Sequence, residues 1–244
     1  MLKYIVSILC VLASMPAYAG NETNDSFNQA KKYLKQIYAD HRETIYCGAK
    51  FNNDNTVILP DGFVTTRHKK RSKRIEWEHI VPAENFGRTF SEWRDGHPNC
   101  VDSKGKSFKG RNCAEKINYE YRLMQADMHN LFPAIGAVNA MRSNYNFTEL
   151  STDIPNSFGS CAMKIEGKKV EPPYYVKGVI ARTYLYMEQE YPRFKINKSM
   201  KNMLLVWDKE HPVTEWECIR AKRIEKIQGN PNKIVNEKCE SIKY

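Results

Sequence analysis

At 244 residues, 41% of them hydrophobic, the chain is long and apolar enough for one globular domain with a sizeable core, which excludes a disordered or low-complexity protein. Its formal net charge of +10 at pH 7 directs attention to polyanionic partners (nucleic acid, acidic glycans or anionic lipid), and charge alone does not choose among them. No segment beyond the N-terminal leader is long and apolar enough to span a bilayer, so stable membrane insertion is not expected.

Residues 1–19 have the grammar of a secretory signal peptide. Lys3 gives a positive start, residues 4–12 form an apolar run too short to span a membrane, and Ala17-Tyr18-Ala19 offers small residues for cleavage. Cleavage after Ala19 removes one lysine and no acid, leaving 37 basic and 28 acidic residues and a charge of +9 on the exported domain, residues 20–244.

In the exported domain, residues 21–26 read as a polar leader. Residues 27–39 carry Phe27, Ala30, Leu34 and Ile37 at helical spacing, with Asp25 or Ser26 as cap. Residues 45–51 and 56–59 read as strands, followed by a Pro60-Asp61-Gly62 turn. Residues 74–81 read as a further strand stopped by Pro82, and residues 90–112 as irregular. Residues 114–126 predict a helix, and Pro133 suits the first position of another through about Met141. Residues 162–170 predict a hairpin around Glu166-Gly167. Residues 176–190 and 199–207 predict helices, and Thr214-Glu215-Trp216-Glu217 a capping box whose helix stops at Gly229. The fold class is mixed α+β, a helix-rich single domain.

Cys10 departs with the leader. Cys47, Cys100, Cys113, Cys161, Cys218 and Cys239 remain, an even set that predicts three disulfides in an exported protein. Fifteen pairings are open. Cys100 with Cys113 is the most local and would contribute about 3 kcal/mol by loop entropy. The absence of CxxC, HExxH, HxxEH and GxSxG removes support for a zinc ribbon, a thioredoxin-type site, a zinc protease and an α/β hydrolase.

The chemistry concentrates in Glu76-Trp77-Glu78-His79-Ile80-Val81-Pro82-Ala83. A histidine is the natural general base near neutrality, and a carboxylate beside an amide oxygen suits a hard divalent ion. Regular strand alternation opposes this pairing, because Glu78 and His79 would face opposite ways unless the strand ends or bulges there. Taken alone, Glu78 also fits a solvated edge residue and His79 a core histidine. Just upstream, Lys69, Lys70, Arg71, Lys73 and Arg74 form a basic run, either a solvated face or a phosphate contact. Asn130, in Asp127-Met128-His129-Asn130-Leu131, offers an amide oxygen or serves as a turn residue. Arg111 is a phosphate-gripping arginine or an exposed loop residue.

Together with Phe86-Gly87, Trp93-Arg94-Asp95-Gly96-His97 and the segment from Gly105 to Lys116, these motifs resemble the bacterial endonuclease I family, with coherent spacing from about Lys31 to Trp216. The resemblance implies a ββα-metal site in a mixed fold. It implies nonspecific cleavage of DNA, and often RNA, to 5′-phosphorylated products by a periplasmic or secreted protein, expected as a monomer. By that similarity His79 is the general base, Glu78 and Asn130 bind Mg2+ (with Mn2+ or Ca2+ as substitutes), and Arg111 stabilises the phosphate. A noncatalytic exported polyanion binder, and a phosphodiesterase of small substrates, remain the alternatives.

Overall fold

A computed structural model describes residues 20–241; the signal peptide expected over residues 1–19 lies outside the described residues. The chain opens with α1 (Phe27–Ile37), whose Ser26 side chain caps Gln29 N and whose Ala30, Leu34 and Ile37 are buried as the spacing predicts. The strand expected over residues 45–51 is reduced to β1 (Lys50–Phe51), paired with β2 (Val57–Ile58). A turn displaces the rest: Gly48 sits at φ +60°, the Thr44 carbonyl accepts from Gly48 N, and Cys47 is drawn into a disulfide with Cys161.

Next comes β3 (Ile75–His79), which stops two residues short of the expected end at residue 81 because the chain bends at Ile80 and Val81 before Pro82; the short α2 (Ala83–Gly87) and α3 (Ser91–Arg94) follow. The helix expected over residues 114–126 is two helices, α4 (Arg111–Ile117) and α5 (Tyr119–Ala126). Asn118 breaks them apart with an extended backbone and caps the second through a bond from Tyr121 N.

The helix expected from Pro133 is corrected more sharply. Residues Leu131–Ile135 form β4, fully buried and antiparallel to β3, with Trp77 opposite Pro133 and His79 opposite Leu131. The helix, α6 (Gly136–Arg142), starts only after it. Proline is tolerated because a two-stranded sheet has open edges, and its carbonyl accepts from Ile45 N at 2.8 Å. β3, β4 and α6 form the two-strand-and-helix unit that carries the candidate site.

The remainder buttresses this unit. β5 (Asn146–Phe147), β6 (Lys164–Glu166) and β7 (Lys169–Glu171) form a small sheet with the expected hairpin at Gly167. Three helices follow: α7 (Lys177–Glu190), α8 (Lys198–Glu210) and α9 (Glu215–Gln228). Thr214 caps α9 and Gly229 ends it at φ +87°. Only half of the capping box forms, because the Glu217 carboxylate is taken by Arg182 at 2.6 and 2.8 Å. Residues beyond Gly229 make α10 (Lys233–Cys239), pinned to α9 by Cys218–Cys239. The third bridge is Cys100–Cys113, as its proximity predicts. Among the described residues no helix is long and apolar enough to cross a membrane.

Beneath the site unit lies a buried polar network. Asp127 accepts from His129 N, Gln228 Nε2 and the hydroxyls of Tyr186 and Tyr191. His129, 1% exposed, is held neutral, its pKa lowered to about 4 chiefly by burial. An unfolded histidine protonates near pH 6.5, so below that pH the unfolded chain takes up a proton that the fold refuses. Stability is therefore expected to fall as pH drops from about 6.5 towards 4, with His129 responsible for on the order of 3 kcal/mol. Urea unfolding at pH 7 and pH 4 measures this. The loss should shrink in His129→Gln, and an equal loss in the variant would overturn the assignment.

Candidate active site

The C-terminal end of β3 opens into a cleft of about 1040 Å3 whose walls come from α1, β3, the start of α4 and α6. Glu78 and His79, the last two residues of β3, both line it, and the chain then bends away through Ile80 and Val81 towards Pro82.

His79 is almost enclosed, its ring 5.0 Å from that of Phe27. Its Nε2 lies 2.8 Å from the Gln125 carbonyl oxygen. A carbonyl only accepts, so Nε2 carries the proton and Nδ1 is the basic nitrogen. Burial, assisted by the Arg111 charge, lowers the pKa to about 3, which keeps the imidazole neutral at physiological pH.

Gln125 also reaches Arg111, whose Nε donates to Gln125 Oε1 at 3.3 Å. Arg111 is the first residue of α4, follows Gly110 at φ +77°, and lays its guanidinium over the Phe27 ring at 5.3 Å. Base and arginine are thus tied to one glutamine, which the sequence motifs do not single out.

Glu78 is 3% exposed; its Oε1 accepts from Tyr46 Oη and Arg142 Nη1, both at 2.9 Å. Burial pushes its carboxyl above the usual range, and the Arg142 charge and Tyr46 hydroxyl oppose that shift. Across the cleft, Asn139 of α6 donates from Nδ2 to Glu76 Oε2 at 3.2 Å. That bond engages the amide nitrogen and leaves the carbonyl oxygen Oδ1 as the end able to act as a ligand.

The expectation for Asn130 is not met by this geometry. Its side chain is fully buried and absent from the cleft wall; Oδ1 accepts from Val81 N at 2.8 Å and Nδ2 donates to Val81 O at 3.0 Å. Asn130 fastens the turn after β3 to the start of β4, the turn-residue alternative.

The basic run divides as well. Glu76 neutralises two of its members, Arg71 through a two-point contact and Arg74 at 3.4 Å. Of the run, Arg71 alone lines the cleft; Lys69, Lys70, Lys73 and Arg74 are exposed outside it. The lysines inside are Lys31, Lys32 and Lys35 of α1, joined by Asn28 on the same helix face. Sequence reading passed over them, although their i, i+3, i+4, i+7 spacing opposite the buried stripe was a usable signal.

What this arrangement supplies is a neutral base with a fixed tautomer, a phosphate-sized positive group beside it, and oxygen donors for a hard cation. No group of three His, Cys, Asp or Glu side chains able to hold a metal occurs among the described residues. A Glu78 carboxylate with the Asn139 amide oxygen would fit an ion that retains several waters, as Mg2+ does, and not structural zinc.

Comparison with known proteins places the chain among nucleases. The chain matches the family model described as Endonuclease I over residues 12–239. It is 38% identical to an "Extracellular deoxyribonuclease" of Aeromonas hydrophila over 95% of this chain and 96% of that protein. It is 36% identical to a "Periplasmic deoxyribonuclease" of the same species over 95% and 93%. An "Endonuclease-1" of Buchnera aphidicola subsp. Baizongia pistaciae is 38% identical over 88% and 84%.

Proposed function

The chain belongs to the endonuclease I family, and from that premise we propose that it is an exported, sequence-nonspecific nuclease that hydrolyses DNA, and RNA, to 5′-phosphorylated products. The observation that carries this reading is the His79 environment: a neutral imidazole with Nε2 fixed on the Gln125 carbonyl, in a cleft shared with Arg111, Glu78 and Asn139. Export follows the leader at residues 1–19 and the exported relatives.

In the proposed reaction His79 Nδ1 takes a proton from the attacking water. The Gln125 carbonyl holds the ring in orientation and favours the imidazolium that results. Arg111 meets the charge that develops on the phosphate oxygens. Glu78 and Asn139 would hold Mg2+, with Asn139 taking the place expected of Asn130. When bound, the ion supplies charge neutralisation at the phosphate and at the leaving 3′ oxygen.

Lys31, Lys32 and Lys35 form a rail for the phosphate backbone. Contacts to phosphate carry no base information, which accounts for nonspecificity. Neutralising all three to Gln should reduce the slope of log K against log salt by about 2–3, at about 0.9 per lost contact on duplex DNA. An unchanged slope, measured by anisotropy in EDTA, would show that the rail does not touch DNA.

The direct test incubates oxidised, leader-free protein with supercoiled plasmid in Mg2+ or EDTA. Degradation in Mg2+ that stops in EDTA supports the whole reading. Full activity after exhaustive EDTA treatment removes Glu78 and Asn139 as ligands. Plasmid binding with no cleavage under any divalent ion would make this chain a polyanion binder.

A further inference from the structure

One buried cation takes no part in the reaction just described. Arg142, the last residue of α6, is 1% exposed, yet its guanidinium reaches three oxygens of the site. Nη1 donates to Glu78 Oε1 at 2.9 Å and to the His79 carbonyl at 2.7 Å; Nη2 donates to the Ile80 carbonyl at 2.6 Å. The guanidinium stacks 4.5 Å from the Phe147 ring, and its Nε is buried without a partner.

Successive carbonyls of an extended strand point to opposite edges, just as successive side chains point to opposite faces. Two adjacent carbonyls reach one guanidinium only if the chain bends between them. The bend follows directly on Glu78 and His79, the last two residues of β3, both of which line the cleft. We propose that Arg142 is a positioning residue of the nuclease: its fork clamps the end of β3 in the bent form, holding at once the Glu78 carboxylate and the backbone that carries His79. This rests on the nuclease reading above and adds to it the group that holds the end of β3 in place at the site.

The planar fork matters more than the charge. A lysine brings one ammonium and cannot span a carboxylate and two carbonyls in one plane. A simple counter-charge to Glu78 would be replaced well by Lys; a clamp would not.

The test compares wild type, Arg142→Lys and Arg142→Met as oxidised full-length domains. Arg142→Lys is expected to keep its disulfides and to bind plasmid in EDTA as tightly as wild type. Its kcat should fall about 100-fold with KM for DNA unchanged, the scale of a small misplacement of reacting groups. Mn2+ binding without DNA, read by electron paramagnetic resonance, should weaken about 10-fold. Arg142→Met should be no more active than Arg142→Lys. Wild-type kcat and Mn2+ affinity in Arg142→Lys would overturn the proposal even if the variant melts earlier.

Should both variants fail to fold, Phe147→Leu decides the matter. It removes the ring under the guanidinium without touching the cleft, and should lower kcat and Mn2+ affinity together by about twofold to fivefold, the worth of one cation–π contact. No change in either would overturn the clamp. A wild-type protein that fails to cut plasmid with Mg2+ defeats the nuclease reading itself, whereas an active wild type beside an equally active Arg142→Lys defeats only the positioning role.

Discussion

His79→Ala is expected to lose about 100-fold to 10,000-fold in kcat while binding DNA as wild type does, because general-base catalysis is worth that much. The alanine removes Nδ1, and a water can occupy the space without supplying an oriented base. The fold should survive: the ring makes a single hydrogen bond, to Gln125, and the β3–β4 register does not depend on it. His79→Gln is the sharper control, since its amide can still donate to the Gln125 carbonyl yet cannot accept a proton. Single-turnover cleavage of a fluorescent duplex, with anisotropy for binding, separates the two effects. A well-folded His79→Ala that cuts at the wild-type rate would remove His79 from the mechanism.

The low pKa of His79 sets the form of its pH dependence. In the cation-free protein the imidazole stays neutral down to about pH 3, so loss of the base by protonation lies well below the pH 6.5 of an ordinary histidine.

The α1 helix and its cap, the Gly167 hairpin, the α9 start at Thr214 and the Cys100–Cys113 bridge were all legible locally, since each is decided within a few residues. What was not legible depended on partners distant in sequence. Pro133 looks like a helix start by composition, and only pairing with β3 makes it a strand residue. Residues 45–51 have strand composition, but the bond from Cys47 to Cys161, 114 positions away, bends them into a turn. The half-made capping box at Glu217 has the same origin, a long-range claim by Arg182.

The site shows the same division. Glu78, His79 and Arg111 stood out in the sequence because their residue types suggest acid, base and phosphate chemistry, and the cleft brings all three together. Lys31, Lys32 and Lys35 were missed because α1 is about forty residues from the motif and reaches it only through packing. Gln125 meets His79 through its backbone carbonyl, a group no side-chain motif records.

The two asparagines give the clearest experimental separation. Asn139→Ala should fold with near wild-type stability, since its side chain is half-buried and makes one recorded bond, to Glu76. It should nevertheless weaken Mn2+ binding by about 100-fold, the upper end of what losing even an outer-shell partner produces. Asn130→Ala should do the reverse. Removing that buried carboxamide leaves the Val81 N–H and carbonyl without their partners, at about 1–3 kcal/mol for each group. Its thermal midpoint should drop markedly, while Mn2+ affinity of the folded fraction stays close to wild type. Because Val81 lies two residues past the base, a modest loss of kcat is compatible with this. A large loss of metal affinity without destabilisation is not. Calorimetry and Mn2+ titration on the same preparations decide it: if Asn130→Ala loses the metal and Asn139→Ala keeps it, Asn130 is the ligand after all, and the amide now bonded to Val81 must turn over when the ion arrives.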